Sequence, residues 1–298
     1  MSKTVIPIEF DYDLDLTLYP SFTLVFFEKV RGKWVKVLGK YAGLKFSIRK
    51  GVLEANIGDE DVVLNLSGLW FDPKEYLKDV KREFRDVVSK VVEVYRKLRL
   101  AINPYDREAM FVTVVLSQRT SFHVNVIKWV RKIFEKENFP DFSVSRSYQV
   151  ERAKEAYKTC IKVLKEDREV TISLWNLRKS LLSKCRNVGV KTADAYLLFT
   201  RRNATFLAPA DTHFHRFIWR MFLVKKETPR KNYCIKTSCE QCPLLDKCIT
   251  GWAMKIFGKL AGWVQTVAYV HDKKYCFKNK CSICPLKHVC KYYNKVFI

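Results

Sequence analysis

The chain is predicted to be an α+β protein: an N-terminal antiparallel β-sheet domain, a mostly α-helical core, and two four-cysteine loops towards the C-terminus. Three observations carry that prediction. Up to about residue 70 the sequence is rich in short β-branched and aromatic runs separated by tight turns. Beyond Asn103-Pro104 it reads in helical periods with short polar breaks, and eight of its ten cysteines fall in two matching runs. The expected organisation is a sheet domain over 1–97, a helical core over 98–230, an inserted cysteine module over 231–250, and a C-terminal helix with its own cysteine loop over 251–298.

In order along the chain, Ser21 to Val30 reads as a strand, Arg31-Gly32 as a turn, and Lys33 to Leu38 as a second strand around Trp34. A second pair follows, GLKFSI and VLEANI about the turn Arg49-Lys50-Gly51. Asp72 is placed as an N-cap with Pro73 at the first helical position, leading an apolar stripe of Tyr76, Val80, Phe84, Val87, Val88 and Val91. Helices are then expected over Arg107 to Leu116, Phe122 to Glu137, Gln149 to Leu164, Thr171 to Leu182 and Thr192 to Thr200.

The cysteine runs are YCIKTSCEQCPLLDKC and YCFKNKCSICPLKHVC, both C-x4-C-x2-C-x5-C, with ligand candidates Cys234, Cys239, Cys242 and Cys248, then Cys276, Cys281, Cys284 and Cys290. Four soft thiolates in so short a run can wrap one metal centre. Zinc sites usually draw on two separated C-x2-C knuckles, whereas one C-x2-C flanked by single cysteines suits a [4Fe-4S] cubane. The expected cofactors are a [4Fe-4S] cluster in the second quartet and a second cluster or zinc in the first. MSKTVIPIEFDYD carries no secretory signal and no apolar run reaches membrane-spanning length. The expectation is an intracellular, reduced protein of the cytoplasm or nucleoid, with Cys160 and Cys185 as buried thiols.

Charge is the second strong signal. Lys and Arg number 55 against 31 Asp and Glu, a net of +24 spread along the chain rather than gathered in a tail. That distribution favours nucleic acid over an anionic membrane as partner. Lys278, Lys280, Lys287 and Lys291 beside the second quartet, and Lys231, Lys236 and Lys247 beside the first, are suited to phosphates.

The site-bearing stretch is LSKCRNVGVKTADAYLLF. One helix ends near Lys184, a turn runs through Arg186, Asn187, Gly189 and Val190, and a new helix starts at Lys191-Thr192. Such a helix start offers free amides and a positive dipole end to a phosphate. Further on, PADTHFHRF puts Asp211 at another helix start, where a carboxylate commonly serves as a cap.

CRNVGVKTAD and PADTHFHRF together resemble the helix-hairpin-helix DNA glycosylase superfamily, whose hairpin reads roughly L-P-G-V-G-x-K-T-A and is followed by V-D-T-H. LSQRTS at 116–121 looks like that family's L-S-Q-Q-T-S. WVQTVAYVHDKKYC with the second quartet looks like the iron–sulfur loop of endonuclease III relatives, and the N-terminal stretch is similar to the sheet domain of 8-oxoguanine and 3-methyladenine glycosylases. Arg186 replaces the hairpin proline, Asn187 its first glycine, and Arg119 the second glutamine. Asn tolerates a left-handed backbone, so the turn can survive.

The resemblance implies a base-excision-repair DNA glycosylase with AP lyase activity, acting as a monomer on double-stranded DNA that contains a damaged base or an abasic site. Lys191 is then the nucleophile that attacks C1′, and Asp211 stabilises charge on the sugar. Gln118 or Arg119 fills the gap left by the extruded base, the hairpin backbone holds a phosphate, and His213 faces the site. An amine attacks only when deprotonated, which basic, partly desolvated surroundings favour. Two alternatives keep the scaffold: a monofunctional glycosylase for alkylated or deaminated bases, and a non-catalytic binder of distorted DNA.

Overall fold

The computed structural model describes residues 3–136, 140–168 and 172–297, and the α+β architecture is as expected. Strands β1 (Thr4–Pro7), β2 (Phe27–Val30), β3 (Lys33–Lys36), β4 (Lys45–Arg49) and β5 (Val52–Ala55) form one antiparallel sheet in the order β1-β5-β4-β3-β2. Arg31-Gly32 and Lys50-Gly51 close two hairpins with positive φ at both residues. That turn matches the natural twist of paired strands.

Three readings of this region change. Phe22–Phe26, expected as strand, is a 3₁₀ turn capped by Ser21. The Arg131 guanidinium donates to the Val25 and Phe27 carbonyls at 2.9 and 2.6 Å, so the chain here is held to the helical core rather than to a neighbouring strand. Asp72 caps no helix. Its carboxylate accepts from the Lys74 amide at 3.0 Å in a local turn, and the helix begins only at Arg82. Two short helices, α1 (Leu14–Leu18) and α2 (Glu60–Ser67), sit where the sequence suggested strand, each capped by an aspartate, Asp13 and Asp59.

The remaining helices are α3 (Arg82–Val94), α4 (Arg107–Leu116), α5 (Ile127–Ile133), α6 (Tyr148–Arg168), α7 (Leu174–Lys184), α8 (Val190–Thr200), α9 (Thr212–Phe222), α10 (Lys231–Cys234), α11 (Ile249–Phe257), α12 (Ala261–His271) and α13 (Lys291–Phe297). Glu137 and Thr171, expected as helix ends, lie outside the described residues. One hydrophobic core joins sheet and helices, from Phe27 and Phe46 through Phe111 and Leu197 to Trp263. At its centre α4 is buried from Ala109 to Leu116, packed on α6 and α8. A helix apolar on every side belongs in the middle of a large domain.

Ion pairs lock α8 in that core. Arg178 of α7 grips Asp194 through two bonds of 2.5 and 3.1 Å, and Asp167 receives Tyr196, Arg107 and Arg201. These carboxylates are fully buried, and removing one partner of such a pair would cost about 3–5 kcal/mol.

Cys160 and Cys185, expected as free thiols, form a disulfide that joins α6 to the residue after α7. Both cysteines are buried, and it is the packing of α6 on α7 that brings them together. No helix among the described residues is long and apolar enough to cross a membrane.

Candidate active site

The turn between α7 and α8 has the geometry of an anion cradle. Asn187 takes the left-handed conformation (φ 60°) that its position requires, and its side chain donates to the Arg152 carbonyl and to Glu155. Exposed Arg186 pairs with Glu155 at 2.9 Å. The Asn187 carbonyl accepts from Gln118 Nε2 at 3.3 Å and the Val188 carbonyl from Lys231 Nζ at 3.1 Å. The loop's acceptors are thereby engaged. The Arg186 amide is bonded to Thr159 Oγ1, but the donors that follow are free: Gly189 offers no side chain to cap α8, and the amides of residues 189–192 have no partner among the described residues. Lys231, expected as a phosphate contact, is instead committed to the loop.

Gly189 itself has φ −97°, which any residue adopts, and a Cβ built there meets nothing within 4 Å. The fold therefore does not need glycine at this position, whereas a phosphate approaching the amides would. Gly189→Ala is expected to leave the melting temperature within a degree or two while raising the dissociation constant for duplex DNA about tenfold. Unchanged affinity in a titration of labelled duplex would remove the cradle from the binding surface.

Behind the cradle lies a cavity of about 300 Å³ lined by Lys191, Asp211, Gln118, Arg119 and His213, so five of the residues singled out from sequence converge. Arg186, Asn187, Gly189 and Val190 do not line it. They form the adjoining loop. Of the eleven residues of α8, Lys191 alone is exposed, the other ten being buried. Its amine has no hydrogen-bond or ion-pair partner among the described residues, and it stands in the open rather than in the desolvated setting anticipated. Asp211 is the N-cap of α9: one carboxylate oxygen accepts from the Phe214 amide at 2.7 Å and the other from Gln265 Nε2 at 3.0 Å. Arg119 is exposed with φ 55°, a conformation unfavourable for a side chain of its kind and frequent at functional sites.

Several lining residues were not anticipated. Phe22 and Phe122 meet edge to face at 5.4 Å on one wall. Gln265 and Tyr269 of α12, with Lys273 beyond it, form another. Burial pushes the Tyr269 hydroxyl above its ordinary pKa. Burial is the largest influence and works against the Lys273 charge, but the 3.0 Å bond to Tyr269 and the nearby Tyr269 and Tyr19 hydroxyls together outweigh it and hold the ammonium above its ordinary value. His213 donates through Nδ1 to fully buried Asp272 at 2.6 Å, and Arg216 reaches the same oxygen. His215 faces a separate groove lined by Arg216, Trp219 and Lys226. A polar Gln265 inside the apolar WVQTVAYV was the one sequence signal for this wall. Its partner Asp211 is 54 residues away.

The cysteines of each quartet line one small void apiece. Among the described residues no three His, Cys, Asp or Glu side chains are drawn together closely enough to hold a metal ion. Each void has an arginine in its wall. Arg178 Nη1 at the first and Arg220 Nε at the second are buried with no hydrogen-bond partner among the described residues, and Arg220 Nη1 lies 3.9 Å from Cys281 Sγ. Burial pushes the Cys239 thiol up to about 12, and the Arg178 charge is the largest influence opposing it. At the second void His271 bridges the Tyr95 hydroxyl at 2.8 Å and Cys284 Sγ at 3.5 Å.

No family model matches the chain, and no curated protein sequence does. Solved structures do. The Clostridium acetobutylicum 8-oxoguanine glycosylase/lyase in complex with double-stranded DNA containing cytosine opposite 8-oxoguanine aligns with TM-score 0.65 at 14% identity, over 89% of this chain and 93% of that one. Its apo form gives 0.64 at 14% over 90% and 96%. MBOgg1 in complex with a low-affinity DNA ligand gives 0.61 at 16% over 92% and 96%. This chain shares the fold of these proteins, sheet domain and helical core together, over most of its length.

Proposed function

We propose that this chain is a base-excision DNA glycosylase with AP lyase activity, working inside the cell on double-stranded DNA that carries an oxidised purine, with 8-oxoguanine the leading candidate. One observation carries the reading: a helix buried at every other position presents a single unpartnered lysine, Lys191, at the mouth of a cavity it shares with Asp211. The choice of lesion follows the similar structures, which include an 8-oxoguanine glycosylase/lyase bound to DNA containing that base.

A base stacked in duplex DNA cannot reach such a pair, so the nucleotide is extruded at a cost of a few kcal/mol. The free amides at Gly189 and beyond hold a backbone phosphate, exposed Arg119 enters the gap, and the aromatic walls receive the base. The Lys191 amine attacks C1′ and the base leaves with the glycosidic electron pair. Loss of a proton from nitrogen and opening of the sugar give a Schiff base, from which β-elimination expels the 3′ phosphate. Asp211, held by Phe214 and Gln265, offsets positive charge on the sugar as the glycosidic bond weakens.

The cysteine voids fit thiolate-ligated centres. A [4Fe-4S] cluster gives each thiolate its own iron and spreads the four sulfurs wider than a single ion does, which suits voids lined by four cysteines of which no three are drawn onto one point among the described residues. Each void offers four soft donors and has in its wall an arginine with one buried nitrogen that lacks a hydrogen-bond partner among the described residues, a cation that favours negative charge in the void. Cys276, Cys281, Cys284 and Cys290 would hold a [4Fe-4S] cluster, and Cys234, Cys239, Cys242 and Cys248 a second cluster or zinc. With four protein ligands each centre is closed, and what it supplies is rigidity to basic loops. A brown preparation containing iron and acid-labile sulfide is expected, and a colourless one with zinc alone would overturn the cluster assignment.

The test of the function is borohydride trapping on duplexes carrying an abasic site, 8-oxoguanine, thymine glycol or uracil. A covalent adduct is expected on the abasic and 8-oxoguanine duplexes. Trapping on uracil or thymine glycol instead would reassign the lesion, and no adduct on any duplex would leave a monofunctional enzyme or a binder.

A further inference from the structure

The first cysteine module is wired to the DNA-gripping turn in two places. Its opening helix, α10, packs on α7, and Lys231 at the head of α10 donates to the Val188 carbonyl inside the turn. The void itself is walled by Arg178 of α7, whose other two nitrogens are spent on Asp194 of α8. One arginine thus touches both helices that flank the turn and lines the void with the four cysteines, its remaining nitrogen, Nη1, being buried without a hydrogen-bond partner among the described residues.

Between Cys234 and Cys248 the module has little regular structure of its own. It consists of turns joined to the body by the short bridge between Glu227 and Cys248. A segment of that kind keeps its shape only if something ties its side chains together, and a metal centre does this in small cysteine-rich modules. The far end is fixed as well. Cys248 caps α11 through a 3.4 Å contact from the Gly251 amide, and Gly251 has no room for a side chain because the Leu245 carbonyl would lie 2.7 Å from its Cβ.

We propose that the first cysteine cage, filled by an anionic thiolate-ligated metal centre, is a brace for the phosphate-binding turn, with Arg178 coupling the centre to α7 and α8 and Lys231 coupling it to the loop. The inference rests on the DNA-binding reading above for its consequence, but not for its geometry. Gln118 pulls the Asn187 carbonyl from one flank while Lys231 pulls the Val188 carbonyl from the other. The two acceptors are occupied from both flanks, while the amides at 189–192 have no partner among the described residues. A phosphate is repelled by carbonyl oxygens and attracted by amides, so this polarity decides whether the turn binds DNA. Lys231 and Arg178 are positioning residues here, since neither is required to touch the DNA.

The experiment compares the full-length holoprotein with Lys231→Met, Cys239→Ser and the double variant. It measures metal content, affinity for an undamaged duplex by fluorescence anisotropy, and hydrogen exchange at the Arg186 and Ala193 amides. Those amides are bonded to Thr159 Oγ1 and the Gly189 carbonyl, so they report whether the turn and the first turn of α8 stay closed. Lys231→Met should keep its metal, weaken duplex binding about fivefold and speed exchange at both amides by a similar factor. Cys239→Ser should lose the metal of the first cage, do the same, and show no further loss when combined with Lys231→Met. Iron with sulfide, or zinc, in the metal analysis identifies the centre.

Cage metal lost from a folded Cys239→Ser protein with exchange unchanged would overturn the brace, as would losses that simply multiply in the double variant. If Cys239→Ser fails to fold, Lys231→Met decides alone: unchanged exchange at both amides refutes the proposal. A wild-type protein that ignores duplex DNA while exchange still responds to Lys231→Met would refute the DNA-binding reading and leave the brace standing.

Discussion

Replacing Lys191 with glutamine is expected to abolish the borohydride-trapped adduct and to lower strand cleavage at an abasic site by at least about 10³-fold. Lys191 is the only exposed side chain on α8, and among the described residues no carboxylate or carbonyl holds its amine back. Glutamine keeps much of the length and polarity but has no nucleophilic nitrogen. Because Lys191 is exposed, stability should stay within about 0.5 kcal/mol of wild type. Duplex affinity should fall only a few-fold, since one cation among many is lost. The measurement is single-turnover cleavage with saturating enzyme beside a thermal melt. Cleavage and trapping that persist in the variant would move the nucleophile to another amine, with Lys273 on the cavity wall the next to test.

Asp211→Asn is the second large effect. Asn caps a helix about as well as Asp, so it can still accept from the Phe214 amide and keep α9 in place. It carries no charge, however, and a developing cation on the sugar would face a neutral amide. Base release should slow by about 10²–10⁴-fold, the range for losing a catalytic carboxylate or an electrostatic stabiliser. Cleavage of a pre-formed abasic site, where no glycosidic bond remains to be broken, should fall less. Asp211→Ala makes a useful contrast, because it also loses the cap at about 1 kcal/mol of stability. Should Asp211→Asn release base at the wild-type rate while Asp211→Ala melts early, the residue would be a cap and nothing more.

Much of the candidate site was legible from local pattern. A left-handed Asn187, a helix starting beside Lys191 and an N-cap at Asp211 each follow from a few neighbouring residues, because capping and turn geometry are short-range. The α4 helix runs over the span read from sequence, and the two-residue hairpins close where Arg31-Gly32 and Lys50-Gly51 put them. Local pattern misled at Phe22–Phe26 and at Asp72. There an arginine more than a hundred residues away and a turn that never became a helix decided the backbone.

The sequence by itself determined the α+β class, the turn before α8, the lysine beside it, the aspartate that caps α9, and two cysteine quartets of common spacing. All of these are written in contiguous residues, where spacing alone fixes which side chains share a turn or a face. Only the tertiary structure decided what each group meets across the core: Gln265 on Asp211, Asp272 on His213, the Cys160–Cys185 bond, and Arg178 between Asp194 and the first cage. Such partners are chosen by how buried helices pack, and a buried carboxylate or guanidinium takes whichever opposite group the packing delivers. No periodicity along the chain encodes that choice.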